Sequence, residues 1–268
     1  MHSFATTDDV TVLHDSAEVP GLGYLPVNAF LLRAAQPVLV DTGLPTSKEQ
    51  FLQQLWPLID PADLRWIWLT HPDRDHTGAL YEVLEMAAQA RLVTPFLGMG
   101  ILSIERPVPA DRVFLLNPGQ SLDVGDRELV AFRPPVYDSP ATTGFYDRST
   151  GVCFSSDCFG APMADAALAG AQDLRAVEPE ALVPAQRLWA SVDSPWVTGV
   201  DRSHFAEALQ PLRQLDPPVV LSTHLPPAKG RAQELLDVLA TAPDADPFIG
   251  PDQAALEQML TGFEPVPA

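Results

Sequence analysis

Apolar residues in the first hundred positions follow two periods, which predict two kinds of element. Runs rich in β-branched and aromatic residues predict strands, and segments with apolar residues three and four positions apart predict amphipathic helices. The predicted strands are residues 10–14, 27–32, 37–43, 66–70 and 91–94, and the predicted helices are residues 47–58 and 78–90. Residues 33–36 can turn the second strand onto the third as a hairpin. The alternation of strands and helices after this hairpin predicts parallel strand-helix-strand units.

The pattern changes after Arg112, where short strands are separated by glycine and aspartate turns. Strands at residues 113–116 and 129–132 are predicted to form a second sheet. A hairpin then turns at Gly151, and an apolar strand is predicted at residues 219–223. The predicted helices of this half are a mostly helical region at 161–215, including a capped helix that begins at 201, and two helices at 231–240 and 254–263.

Four potential metal ligands lie close together where the strand that begins at Trp66 ends. They are His71, Asp73, Asp75 and His76. A neutral imidazole offers a nitrogen and a carboxylate offers a hard anionic oxygen, a combination that suits zinc, iron or manganese. A single histidine or aspartate in a turn is usually only solvated. The density of ligands at one strand end therefore indicates a metal site.

Three further candidates lie beside strands of the second half. Asp138 precedes the first arm of the hairpin at Gly151, and Asp157 ends the second arm. His224 ends the apolar strand that begins at Val219. The alternatives are that Asp138 caps a helix or turn and that His224 is a histidine at the edge of the core. Of the other histidines, His2 and His14 are predicted at the surface, and His204 is predicted to be a surface or packing residue of its helix.

Composition narrows the possible partners and locations. The formal net charge is −19, from 35 acidic and 16 basic residues, and it would repel nucleic acids and anionic membranes. A hydrophobic content of 46% with 19% charged residues is typical of a folded protein. No apolar run approaches the roughly 18 residues that span a bilayer. The N-terminus lacks the basic and apolar segments of a signal peptide, so a cytoplasmic location is predicted.

The two cysteines, Cys153 and Cys158, are too few for a disulfide framework. They are predicted to be small buried thiols in a reducing compartment. A redox role beside the metal is the alternative.

Several motifs carry a resemblance to a known family. The pattern His71-x-Asp73-x-Asp75-His76 resembles the HxHxDH signature of the metallo-β-lactamase superfamily. It is still more similar to the HxExDH form of flavodiiron proteins and of the related stand-alone oxygen-binding di-iron proteins. Residues 154–160 resemble the LFSNDAFG motif of flavodiiron proteins, and residues 28–31 and 40–43 resemble the superfamily motifs NAYLI and DTG. Asp73 departs from the pattern, because the wider superfamily has histidine there and the di-iron branch has glutamate.

This resemblance covers about residues 22–230 and implies an α/β fold. The implied architecture is the four-layer αβ/βα sandwich, in which two mixed sheets pack face to face with helices outside and metals lie at one edge. Residues 1–268 would form a single domain of this kind, with its core at about 22–230 and C-terminal helices within 231–268.

The resemblance also implies two metal ions, iron first, with zinc or manganese as alternatives. Site one would use His71, Asp73, Asp138 and Asp157, and site two would use Asp75, His76, Asp157 and His224. Asp138 falls where flavodiiron proteins have a histidine ligand, and the neighbouring Tyr137 is a possible substitute. Asp75 and Tyr137 are the candidate catalytic residues. Asp41, in the DTG-like motif, would orient the ligand loop.

The function implied is that of a non-haem di-iron protein that binds or reduces dioxygen or nitric oxide. Without its own flavodoxin domain, such a protein would work with a separate electron-donor or signalling protein. A second hypothesis is a metal-dependent hydrolase of a small thioester, lactone or ester, in which metal-bound hydroxide attacks the carbonyl. A third is a degenerate module with one metal or none that acts only through binding.

Overall fold

The computed structural model describes residues 1–261. The strands are β1 (His2–Ala5), β2 (Val10–Val19), β3 (Gly23–Leu32), β4 (Val38–Val40), β5 (Trp66–Trp68), β6 (Arg91–Thr94), β7 (Val113–Leu115), β8 (Ser121–Asp123), β9 (Glu128–Phe132), β10 (Gly144–Asp147), β11 (Val152–Phe154), β12 (Val219–Leu221) and β13 (Ala228–Lys229). The α-helices are α1 (Lys48–Leu55), α2 (Leu80–Met86), α3 (Phe96–Glu105), α4 (Ala166–Ala169), α5 (Pro179–Asp193), α6 (Arg202–Leu215), α7 (Ala232–Leu239) and α8 (Gln253–Thr261). The predicted helix at 254–263 ends outside the described residues.

The strands form two mixed sheets. The first has the order β1-β2-β3-β4-β5-β6-β7, antiparallel up to β4 and parallel from β4 to β7. The second has the order β13-β12-β11-β10-β9-β8, in which only β11 and β12 are parallel. The prediction that residues 113–116 belong to the second sheet is wrong. Val113–Leu115 follows α3 and pairs in parallel with β6, so it completes one more strand-helix-strand unit of the first sheet.

Side-chain alternation along the strands produces the four layers. In β3, Phe30 and Leu32 point between the two sheets, whereas Ala29 and Leu31 point to the layer of α1 and α2. The layer between the sheets contains the stacked rings of Phe145 and Phe154, 4.3 Å apart. Helices α5, α6 and α7 cover the outer face of the second sheet. The predicted α/β sandwich of two mixed sheets with helices outside is thereby confirmed.

The burial of His14 differs from its prediction, whereas the burial of the two cysteines agrees with theirs. His14 was predicted at the surface, and this is wrong, because β2 is flanked on both sides and His14 is only 4% exposed. Cys153 and Cys158 are both buried and free, as predicted. Burial raises the pKa of both thiols, so both are neutral at physiological pH.

Among residues 1–261, no helix combines the length and the apolar character needed to cross a membrane.

Candidate metal centre

The ligand loop begins where β5 ends. Strands β4 and β5 are parallel neighbours, so the residues that follow them meet at one edge of the sheet. Asp41 follows β4 with a φ of 57°, a conformation that aspartate tolerates better than most residues. Its Oδ1 accepts from the backbone N–H of Thr70, and its Oδ2 accepts from the Thr70 hydroxyl, each at 2.8 Å. Asp41 therefore ties the start of the ligand loop to β4.

The structure brings all seven predicted ligands together at this edge. His71, His76 and Asp157 form one group, Asp75, His76 and His224 a second, and His71, Asp73 and Asp138 a third.

Asp157 lies in the middle of these groups. Its Oδ2 is 3.3 Å from His71 Nε2, on the side of site one. Its Oδ1 is 3.1 Å from His76 Nε2 and 3.2 Å from His224 Nε2, on the side of site two. One oxygen of this carboxylate thus faces His71 and the other faces His76 and His224, an arrangement that would let Asp157 bind two metal ions at once.

Each imidazole is held through its other nitrogen. His76 Nδ1 donates to Asp41 Oδ2 at 2.8 Å, and His224 Nδ1 donates to the carbonyl oxygen of Pro26 at 2.7 Å. His71 Nδ1 lies 3.2 Å from Ser156 Oγ. Such contacts fix the ring and the tautomer, so a neutral His76 or His224 points an Nε2 lone pair into the site.

These lone pairs face carboxylate oxygens, and two acceptors in contact need a cation between them. His76 Nε2 and Asp157 Oδ1 are buried, and neither has a hydrogen-bond partner among the described residues. His224 Nε2 is 3.3 Å from Asp75 Oδ2 as well as 3.2 Å from Asp157 Oδ1. Imidazole nitrogens and carboxylate oxygens at these separations fit divalent metal ions.

The electrostatics agree with a cation-binding site. Burial opposes a charge on His224, but the carboxylates of Asp157 and Asp75 outweigh burial and raise its pKa to about 10. Burial likewise opposes a charge on His76, yet Asp157 and Asp75 hold its pKa well above the usual value. Burial alone would raise the pKa of Asp157, but the three histidines hold it well below the usual value. In metal-free protein, protons take the place where metal ions would bind.

Site one is the more open of the two. The side chain of Asp73 is 55% exposed, and its Oδ2 is 3.9 Å from His71 Nε2. Asp138 Oδ2 is 3.6 Å from the same nitrogen. Burial raises the pKa of both carboxyls, and the neighbouring Asp157 adds to the effect on Asp138.

Tyr137, the other candidate catalytic residue, packs against two side chains. Its ring centroid is 5.2 Å from that of Trp196, and the guanidinium of Arg133 lies over its face at 4.9 Å. Its carbonyl oxygen accepts from Trp196 Nε1. These contacts pack the Tyr137 ring against Trp196 and Arg133, whereas Oδ2 of the neighbouring Asp138 lies 3.6 Å from His71 Nε2.

Because Asp73 is exposed and shorter than a glutamate, we expect site one to bind metal more weakly than site two. Zinc titration of the metal-free protein, followed by calorimetry, should therefore show a tight step and a weak step. His224→Ala should remove the tight step, and Asp73→Ala only the weak one. Anomalous diffraction that finds site one full while site two is empty would reverse this order.

The loop that carries His224 is clamped by Asn28 of β3. The Asn28 side chain donates to the carbonyl oxygens of Ser222, at 3.2 Å, and Leu225, at 2.9 Å. Its Oδ1 lies 2.8 Å from Nδ1 of His14, which explains why a buried histidine lies in β2. Two strands of the first sheet thus position a ligand of the second.

Asn28→Ala should leave buried carbonyl groups unpaired and destabilise the fold by about 1–3 kcal/mol. It should also weaken metal binding at site two more than at site one, because only His224 depends on this clamp. Urea unfolding and zinc titration measure the two effects. Asn28→Asp separates the two contacts, since it keeps the acceptor for His14 and loses the two donors, so it should also weaken site two. Equal losses at both sites would contradict a local clamp.

Three polar residues of α5 were missed by sequence reasoning. Gln186, Trp189 and Asp193 recur at helical spacing and face the metal centre, where they line a small cavity together with Asp157. The sequence does carry one sign of these residues: Gln186 and Asp193 interrupt the otherwise apolar buried stripe that contains Leu182 and Ala190. Burial, with the charges of Asp157 and Asp138, raises the pKa of Asp193 to about 8.

Residues 25–191 match the family model described as ODP family beta lactamase. The chain therefore belongs to this family, whose members include flavodiiron-type domains of the metallo-β-lactamase fold.

Curated relatives include the putative diflavin flavoprotein A 1 of Thermosynechococcus vestitus, which is 30% identical over 59% of this chain and 26% of its own length. The anaerobic nitric oxide reductase flavorubredoxin of Salmonella arizonae is 26% identical over 63% of this chain and 35% of its own length. The chain thus spans about a quarter to a third of these relatives.

Solved structures share the fold. The rubredoxin oxygen:oxidoreductase of Desulfovibrio gigas superposes with a TM-score of 0.76 and 18% identity, covering 91% of this chain and 61% of the other. A fragment of the putative diflavin flavoprotein A 5 of Nostoc sp. PCC 7120 gives a TM-score of 0.71 and 17% identity, covering 91% of this chain and 95% of the fragment.

Proposed function

We propose that the protein is a non-haem di-iron protein that binds or reduces dioxygen or nitric oxide. The observation that carries this proposal is the position of Asp157, whose two carboxylate oxygens face two separate groups of ligands. Membership of a family with flavodiiron-type domains supports it. The names of two similar proteins, a nitric oxide reductase and an oxygen oxidoreductase, indicate the class of substrate.

In this proposal His71, Asp73, Asp138 and Asp157 hold one iron ion, and Asp75, His76, Asp157 and His224 hold the other. When bound, an iron pair would supply the electrons for binding or reducing a small diatomic molecule. Electrons would come from a separate electron-donor protein, which we propose as the partner.

The protein's own residues arrange and shield this centre. Asp41 and the carbonyl of Pro26 keep the protons of His76 and His224 on Nδ1, so both Nε2 atoms remain free to bind metal. Although burial acts against it, in the metal-free protein the positive charges of the protonated His76 and His224 hold the pKa of Asp75 below its usual value. Asp75 is therefore ionised at neutral pH and available as a ligand. Small molecules can enter at the exposed edge beside Asp73, while the imidazoles stay buried.

The charge of the ligands favours oxidation of bound ferrous iron over hydrolysis of a substrate by metal-bound water. Asp73, Asp75, Asp138 and Asp157 together neutralise two divalent ions when all four are ionised. A water bound to a neutralised pair is acidified less than a water bound to a histidine-rich zinc site, so it is a poorer hydroxide nucleophile. Hard carboxylates also stabilise ferric iron better than ferrous iron.

The test compares two preparations of the same protein, one loaded with iron and the other with zinc. Protein purified without oxygen and loaded with ferrous iron should develop a ferric absorption on exposure to air. Zinc-loaded protein, the matched control, should show no such absorption and should hydrolyse generic thioesters and lactones slowly or not at all. Rapid zinc-dependent turnover of such a substrate, with no spectral response of the iron form to dioxygen or nitric oxide, would replace this proposal with the hydrolase.

A further inference from the structure

Helix α5 brings a further carboxylate to the metal centre. Asp193 is its last residue, and one oxygen from each of Asp138, Asp157 and Asp193 lies within 4.8 Å of the others. The hydroxyl of Ser194 donates to Asp193 Oδ2 at 3.0 Å, which leaves Oδ1 for another partner. Asp193 thus lies beside two of the proposed ligands of site one, Asp138 and Asp157.

When all three carboxyls are ionised, this arrangement is electrostatically unfavourable unless a cation lies between their oxygens. Like charges at such separation repel one another, and the C-terminal end of α5 adds the negative end of the helix dipole. Within residues 1–261, no lysine or arginine forms a salt bridge with these three carboxylates; the recorded partners of Asp138 and Asp157 are histidines. A metal ion among the three oxygens would stabilise all three carboxylates in their ionised form.

The neighbouring cavity gives a second, independent sign of a ligand. Gln186 is 1% exposed, and neither its amide nitrogen nor its amide oxygen has a hydrogen-bond partner among the described residues. The same is true of Trp189 Nε1. Both residues line a cavity of ≈ 10 Å³ together with Asp157 and Asp193. This is about the space of one water molecule, which can hydrogen-bond to the Gln186 amide and the Trp189 indole.

We propose that Asp193 is an additional carboxylate ligand of the metal ion at site one, and that a buried water held by Gln186 and Trp189 lies beside it. The proposal rests on the two-metal centre of the proposed function and adds a ligand to it. It also accounts for the exposed position of Asp73: α5 supplies an oxygen ligand from the buried side of a site that is open on its other side.

The test compares Asp193→Asn with Glu180→Gln, which changes an exposed carboxylate at the other end of the same helix. Manganese binding to metal-free protein, followed by electron paramagnetic resonance, measures each site. Asp193→Asn should weaken binding at site one by about tenfold or more and leave site two unchanged, since loss of a supporting carboxylate typically costs about 10–100-fold in metal affinity. Glu180→Gln should bind as the unmodified protein does.

A crystal structure of the zinc-loaded protein tests the same point without a substitution. An Asp193 oxygen at about 2.0–2.2 Å from the metal of site one, with an ordered water against Gln186, supports the proposal. Two bound metal ions with Asp193 outside bonding distance, or unchanged manganese affinities in Asp193→Asn, would overturn it and leave the proposed function standing. Fewer than two metal ions in the unmodified protein would instead count against the two-metal centre itself.

Discussion

Asp157→Asn is expected to remove metal from both sites at once. Asp157 is the proposed ligand common to both sites, with Oδ2 3.3 Å from His71 Nε2 and Oδ1 3.1 Å from His76 Nε2. An amide nitrogen cannot bind metal as a carboxylate oxygen does, and one side of the residue would lose its ligand entirely. Loss of an outer supporting partner alone costs about 10–100-fold in affinity. Loss of the shared ligand should therefore exceed about 100-fold at both sites.

Metal analysis after dialysis, together with zinc competition titration, measures this effect. The matched control is Asp147→Asn, because Asp147 is 0% exposed but pairs with Arg127 at the far end of the hairpin. That variant should lose stability and keep its metal. A variant of Asp157 that retains one tightly bound ion would show that the sites do not depend on a shared ligand.

Asp41→Ala should reduce both stability and metal binding, although Asp41 itself is not a predicted ligand. Its carboxylate is 1% exposed and accepts hydrogen bonds from Thr70 and from His76 Nδ1. Removal of one partner from a buried charged pair costs about 3–5 kcal/mol, because the other partner stays buried without compensation. The orientation of His76 is lost as well, so metal affinity should fall by about 10–100-fold.

Urea unfolding of the metal-free protein and zinc titration separate these two effects. Thr70→Val removes the hydroxyl that donates to Asp41 and lies 3.2 Å from His76 Nδ1, but it keeps the hydrogen bond between Asp41 and His76, so its effect on both quantities should be smaller. If Asp41→Ala destabilises the fold but binds zinc as tightly as the unmodified protein, Asp41 supports the turn and does not orient His76.

Much of the fold followed from local patterns. The alternation in β3, with Phe30 and Leu32 on one face and Ala29 and Leu31 on the other, is a property of consecutive residues, so it can be predicted from them. The sheet that contains β7 could not be predicted in this way. A three-residue strand pairs with whichever edge the preceding helix brings it to, and its own sequence does not specify that edge.

By itself, the sequence determined the ligand loop and the residues most able to bind metal, because His71, Asp73, Asp75 and His76 are close along the chain and follow one buried strand. Only the tertiary structure decided which oxygen of Asp157 faces which histidine, and only it brought Asp193 and Gln186 of α5 to the same centre. Residues far apart in sequence meet only when sheets and helices pack. Nothing within α5 identifies the surface against which its polar residues will lie.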